Sequence, residues 1–370
     1  MMKKYIFTLI ILFTFLHCQE KEESGIFVDL DTQTTISLLD IFSDIEIIPL
    51  ETTDKSLINN ITKVISLGDK YYIFDKKQNK IFLFDQDGRF LNEINDIGSG
   101  PEEYIDISDF DINDQIITLL APLNRALYNY NMSGTFIKKT QLPKIKYAYT
   151  YLNYINADTI AFWTFDTPNQ LKLYSKKENK IFKDDYTEER DQRSMYLFAT
   201  FPYHNRFCRF GNEVYMFDSE SNLKIDYKWD FGKYNTDPKL KLEPQNRPSV
   251  QEIHEFASKI MSSEIVNYIF MAHGASKKYL YTQIGRKNQI FNIFHDKESL
   301  ENIIFAETKE KAKFRPVYWS DDFVIGLSTG EGIDKIDEVA PNSVLDEVNI
   351  AKKNKITEED NPILIKYKFK

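Results

Sequence analysis

Cysteine is nearly absent from this chain, with two residues in 370, Cys18 and Cys208. No disulfide framework can hold the fold, and a chain of this length buries enough apolar surface to need none. Cys208 sits between Phe207 and Arg209 in an expected strand and reads as a core thiol. A basic surplus is missing too. The 47 Lys and Arg stand against 56 Asp and Glu, for a net charge of −9. A surface built to track phosphates is therefore not expected, and neither is a nucleic-acid partner. Histidine is scarce. His17, His204, His254, His273 and His295 form no His-x-x-x-His or Glu-flanked motif, so neither a metal nor a cofactor is expected. His273-Gly274-Ala275-Ser276 also lacks the Gly-x-Ser-x-Gly pattern of a nucleophile elbow. Finally, beyond residue 16 no run is long and apolar enough to span a bilayer.

The first sixteen residues differ from the rest. Met1-Met2-Lys3-Lys4 is basic, and Tyr5 to Leu16 is apolar but too short for a mature membrane helix. Together they read as a secretory signal. Cys18 follows at once and is the expected lipidation site, although His17 stands where a small residue is usual. The expected division is a signal peptide over 1–18, an acidic and polar tether with lead-in over 19–43, and one domain over 44–370. The acidic run Gln19 to Ser24 is also similar to a surface-export tag of Bacteroidota lipoproteins.

Phe and Tyr number 28 and 22, a bias toward pleated, half-buried strands. The clearest stretch is Ile61 to Tyr104. Tyr71-Tyr72-Ile73-Phe74-Asp75 and Lys80-Ile81-Phe82-Leu83-Phe84-Asp85 flank a polar turn, and Asp87-Gly88 leads into a further run, Arg89 to Ile94. With Thr62 to Leu67 upstream, this makes a four-stranded unit of propeller type. The unit echoes. Asn131-Met132-Ser133-Gly134-Thr135-Phe136 repeats Asp85 to Phe90 with its turn glycine and aromatic.

Equivalent hairpin strands start near residues 72, 117, 161, 215, 280 and 324. Their spacing of about 45 residues, where nothing is inserted, is that of propeller blades. The expected fold is all-β, a six-bladed β-propeller of four-stranded antiparallel blades. The lone strand Asp44 to Leu50 is expected to join the last blade and close the ring, which removes an exposed sheet edge. Ser249-Val250-Gln251-Glu252 has capping-box spacing, so a helix over about 249–266 is expected between blades 4 and 5. A charged excursion, Gly330 to Asp360, interrupts the last unit with a short helix near Val344 to Lys352. A seven-bladed ring is the runner-up.

The signal and Cys18, the strand Ile47-Ile48-Pro49-Leu50-Glu51-Thr52, the loop Gly98-Ser99-Gly100-Pro101-Glu102-Glu103-Tyr104 and the terminal Asn361-Pro362-Ile363-Leu364-Ile365 together resemble a known family. It comprises secreted or lipid-anchored six-bladed β-propellers of Bacteroidota, NHL/TolB-like in kind. The family loop more often reads Gly-x-Gly-Pro-Gly-Glu-Tyr, and Glu102 here replaces its third glycine. The resemblance implies a fold and an envelope address, as an outer-membrane lipoprotein facing periplasm or exterior. It implies no reaction.

Candidate site residues follow from the loops. Gly98, Gly100, Pro101, Glu102, Glu103 and Tyr104 lack the helix start and Lys-Ser/Thr of a phosphate cradle and read as an inter-blade connection. Asp109 and Asp111 are spaced to share one face of a strand and are candidate channel-mouth carboxylates, with acceptance of backbone N–H groups the preferred role. Tyr147, Tyr149, Tyr151 and Tyr154 could stack on a ligand, but core positions are favoured. The expected function is a binding or interaction module whose partner is an envelope protein, peptide or glycan, with membrane contact through the lipid alone. The alternative is a glycan-active lyase or hydrolase with carboxylates converging on the channel.

Overall fold

The computed structural model describes residues 25–164, 169–187, 206–208, 212–235, 249–328 and 334–370. The chain enters through β1 (Gly25–Phe27), a single helical turn α1 (Leu38–Ile41) and β2 (Phe42–Pro49). Blade 1 follows as β3 (Ile61–Leu67), β4 (Lys70–Asp75), β5 (Lys80–Asp85) and β6 (Phe90–Ile94). Blade 2 is β7 (Asp109–Asn113), β8 (Ile116–Ala121), β9 (Ala126–Asn131) and β10 (Phe136–Gln141). Blade 3 is β11 (Tyr149–Tyr154), β12 (Thr159–Thr164), β13 (Asn169–Ser175) and β14 (Lys180–Thr187). Blade 4 contains β15 (Arg206–Cys208), β16 (Glu213–Phe217) and β17 (Leu223–Asp230), and the helix α2 (Val250–Ser262) comes next. Blade 5 is β18 (Asn267–Ala275), β19 (Tyr279–Arg286), β20 (Gln289–Asp296) and β21 (Asn302–Phe305). Blade 6 contains β22 (Pro316–Trp319) and β23 (Phe323–Ser328), then α3 (Asp334–Asp337) and α4 (Glu347–Lys353), and ends in β24 (Ile363–Phe369). Among the described residues the strands form six four-stranded sheets, the six-bladed propeller that the repeat predicts.

The middle strands of blades 1 to 3 are covered on both faces by neighbouring blades. Tyr71 to Phe74 of β4 and Ile81 to Phe84 of β5 are all buried, which is why they read as unbroken apolar runs rather than as alternations. The sequence echo is a shared turn. Asp85 Oδ1 accepts the N–H groups of Asp87 and Arg89, each at 2.9 Å, and Asn131 Oδ1 accepts those of Ser133 and Thr135 at 3.0 and 2.9 Å. Gly88 and Gly134 supply the positive φ, 84° and 83°.

Ring closure occurs as expected. β2 pairs antiparallel with β24, with Ile47 opposite Ile365. The outer edge of β2 is then covered by α4, whose Asn349 side chain accepts the Ile47 N–H at 2.9 Å.

The N-terminal segment corrects the expected boundary at residue 44. Residues 25–43 are not a polar lead-in; they form a strap along the rim of three blades. β1 is the fourth strand of blade 4 and runs parallel to β17, with Ile26 opposite Trp229. The strap next bonds blade 5, where Thr34 N–H donates to Ile304 O at 2.9 Å. It then reaches blade 6 as β2. Val28, Leu30, Leu38, Ile41 and Phe42 are 0–1% exposed. Each such side chain contributes about 1.5–3 kcal/mol by leaving water. Ile26, Val28 and Leu30 alternate with exposed residues as a strand does, and the exposed polar run over 31–35 then breaks the pattern. The helix between blades 4 and 5 is also shorter than the expected 249–266. It starts at the predicted cap, where Ser249 and Glu252 bond reciprocally, and stops at Ser262.

Candidate functional site

The first strand of each described blade is its inner edge, and five of these edges enclose a cavity of about 460 Å³ on the propeller axis. Its wall is drawn from β3, β7, β11, β18 and β22. The cavity is polar on the blade 1 to blade 3 side and aromatic on the blade 6 side.

An inner edge strand has backbone N–H groups that no fifth strand can satisfy. Here neighbouring side chains satisfy them. Asp109 Oδ2 accepts the Leu152 N–H at 3.0 Å, and Asp111 Oδ2 accepts the Tyr154 N–H at 3.0 Å. Donors and acceptors are both two residues apart, so one strand's side-chain period matches the outward N–H period of the next. Asp111 Oδ1 also accepts the Ile112 N–H at 2.8 Å. Lys63 Nζ donates to Asp109 Oδ1 at 2.9 Å and to the Phe110 carbonyl at 2.6 Å. Burial pushes the Asp111 carboxyl above the usual carboxylate range, partly opposed by the Lys63 charge.

Tyr318 donates to the Ser66 carbonyl at 2.8 Å and Tyr154 shares a 2.8 Å bond with Thr118. Burial raises both phenols to about 12. His273 is 7% exposed and neither ring nitrogen has a hydrogen-bond partner. Burial alone depresses its imidazole to about 3, so it is neutral at physiological pH. Gly274 beside it lets the Trp319 ring lie against the β18 backbone. A Cβ at Gly274 would sit 2.1 Å from Trp319 Cε2.

Of the residues predicted from sequence, Asp109 and Asp111 thus stand in the cavity wall, with Tyr151 and Tyr154. Tyr149 is core at 2% exposure, and Tyr147 faces solvent. The loop Gly98 to Tyr104 lies outside the cavity lining and packs on itself. Glu103 Oε2 accepts the Gly100 N–H at 2.8 Å and leaves no room for a Cβ on Gly98. Tyr104 is fully buried and donates to the Asn79 carbonyl at 3.0 Å. Glu102 is exposed and has no positive φ, so its backbone conformation does not require a glycine. Cys18 lies outside the described residues, as do His204 and Phe201 to Tyr203. Cys208 is on β15, with its side chain outside the described set. Lys63, His273, Tyr318 and Trp319 were not legible as site residues. Their one signal is position, each on the first strand of its unit. Among the described residues no group of His, Cys, Asp and Glu is arranged to hold a metal, and no helix is long and apolar enough to cross a membrane.

Six blades around an axial cavity with a mixed polar and aromatic wall define a β-propeller with a candidate site at its centre. The chain belongs to the family of the domain of unknown function DUF4934, which matches residues 25–368. The fold is similar to that of a Bacteroides fragilis protein described as exported, at 16% identity and a TM-score of 0.66, over 94% of this chain and 99% of that one. It is also similar to a Bacteroides vulgatus member of the DUF4221 family, at 12% identity and a TM-score of 0.52, over 92% of this chain and 99% of that one. No curated protein matches the chain.

Proposed function

We propose that this protein is an exported binding module that holds a small ligand, or one residue of a larger one, in its axial cavity. The carrying observation is the cavity itself. A space of about 460 Å³ is large enough for a monosaccharide or an amino-acid side chain, and its wall combines aromatic rings with a few convergent polar groups. Binding is favoured over acid–base catalysis because the two carboxylates already serve as backbone staples. Both oxygens of Asp109 and both of Asp111 accept hydrogen bonds from the protein. Groups held this way suit a fixed recognition surface better than a proton shuttle.

Export rests on the basic and apolar N-terminus, and attachment to the outer membrane on Cys18 as the lipidated residue of an NHL/TolB-like lipoprotein. Cys18→Ala followed by membrane fractionation tests the anchor, and unchanged membrane retention would overturn it. For the site, isothermal titration against monosaccharides, amino acids and short peptides is the direct test. At least one saturable binder weakened by Gly274→Ala is expected. Saturable binding that ignores Gly274→Ala would place the site elsewhere.

A further inference from the structure

The charge inventory of the cavity is lopsided. Its one cationic side chain among the described lining residues, Lys63, is engaged by Asp109 and by the Phe110 carbonyl. The Tyr318 proton is directed to Ser66 O. Asn153, 3% exposed, has an Oδ1 without a partner, and the neutral His273 ring holds one N–H donor and one acceptor nitrogen, both without a partner. Among the described residues Asp111 has no cation within salt-bridge distance, and each of its oxygens retains a lone pair beyond the N–H it accepts. The charges that face it are Lys63 from β3 and Asp109 on its own strand, which pair with each other, so Asp111 is the unbalanced group. Tyr154 from β11 and Tyr318 from β22 complete its surroundings, and both stay neutral. The rings of Tyr151 and Tyr318 add aromatic surface to the same wall.

We infer that the cavity takes an organic cation carrying N–H donors, a primary ammonium or guanidinium, with Asp111 as counter-ion and the aromatic wall around its body. This rests on the reading of the cavity as a ligand site. An anion is disfavoured because Asp111 would repel it and the one cationic side chain among the described lining residues, Lys63, already pairs with Asp109. A cation also relieves the strain of a buried carboxylate, so it binds the ionised form of Asp111 and its affinity rises with pH until that carboxyl is fully ionised.

The test is calorimetric titration of the full chain with five probes, with Trp319 fluorescence as a second readout. Agmatine and glucosamine carry N–H cations on a side-chain-like and a sugar body. Tetramethylammonium is a cation without donors, N-acetylglucosamine is neutral, and glucuronate is an anion. Saturable binding of agmatine or glucosamine is expected, and which of the two binds tells a peptide-like from an amino-sugar source. Asp111→Asn, which keeps an oxygen acceptor for the Tyr154 N–H, should weaken it about tenfold or more. If that variant folds poorly, the rise of affinity with pH in the unaltered protein serves instead. Equal or tighter binding of N-acetylglucosamine or glucuronate, lost in Gly274→Ala, would overturn the cation inference and leave the site standing. Tetramethylammonium binding as well as agmatine would remove the role of the N–H donors. Absence of saturable binding by all five would overturn both.

Discussion

The Asp111 carboxylate accepts the backbone N–H of Tyr154 at 3.0 Å, across the gap between two blades. Two residues earlier, Asp109 does the same for Leu152. Two neighbouring blades are therefore locked in register at their inner edges by side chains, where no strand could be added. The same two carboxylates form the acidic part of the cavity wall, so the staple and the site are one structure.

Removing one member of the Lys63–Asp109 pair should cost more than removing both. Asp109→Ala leaves Lys63, 19% exposed, without its carboxylate and the Leu152 N–H without an acceptor. A loss of about 3 kcal/mol is expected from urea unfolding. Lys63→Met combined with Asp109→Leu should lose less than Asp109→Ala alone. A double variant that is the sum of its parts would show that the pair is not coupled.

The strap should behave as core. Leu38 is 0% exposed, and Leu38→Ala is expected to cost about 2–4 kcal/mol. Hydrogen exchange should quicken in β17 and β21, which the strap covers, before it does in blades 1 to 3. A change below about 0.5 kcal/mol would return residues 25–43 to the status of a surface segment.

His273 makes the fold acid-sensitive. Its folded value near 3 lies below the ordinary 6.5, so the unfolded chain binds the extra proton as pH falls. Stability is then lost progressively below pH 6.5, by up to about 5 kcal/mol as pH approaches 3. His273→Leu should flatten that part of the urea-midpoint profile between pH 6.5 and 4. An unchanged slope would mean that the imidazole is accessible to protons in the native state.

Glu102 and Glu103 are neighbours with opposite expectations. Glu103→Ala removes the acceptor of the Gly100 N–H and should cost about 1 kcal/mol. Glu102→Gly should fall within about 0.5 kcal/mol of the parent, since Glu102 is exposed and unstrained. Thermal melts of the two variants separate these cases.

Much of the fold is written locally. The central strands of blade 1 are buried on both faces, so Tyr71 to Phe74 and Ile81 to Phe84 stand out as apolar runs. The turns after Asp85 and Asn131 repeat because the same Asx bonds recur. The strap was illegible for the opposite reason. β1 has three residues and pairs with a strand some two hundred positions away, so nothing local tells which blade it completes. Asp109 and Asp111 could be singled out by their spacing on one strand. Lys63, His273 and Trp319 could not, because the cavity exists only once five blades meet.

The most direct measurement is a crystal soaked with a library of small polar fragments. The account predicts that bound fragments gather in the axial cavity, within hydrogen-bond reach of Asp111 or His273 and against the Trp319 ring. Fragments that settle only on outer blade surfaces, with the cavity left unoccupied across the library, would contradict it.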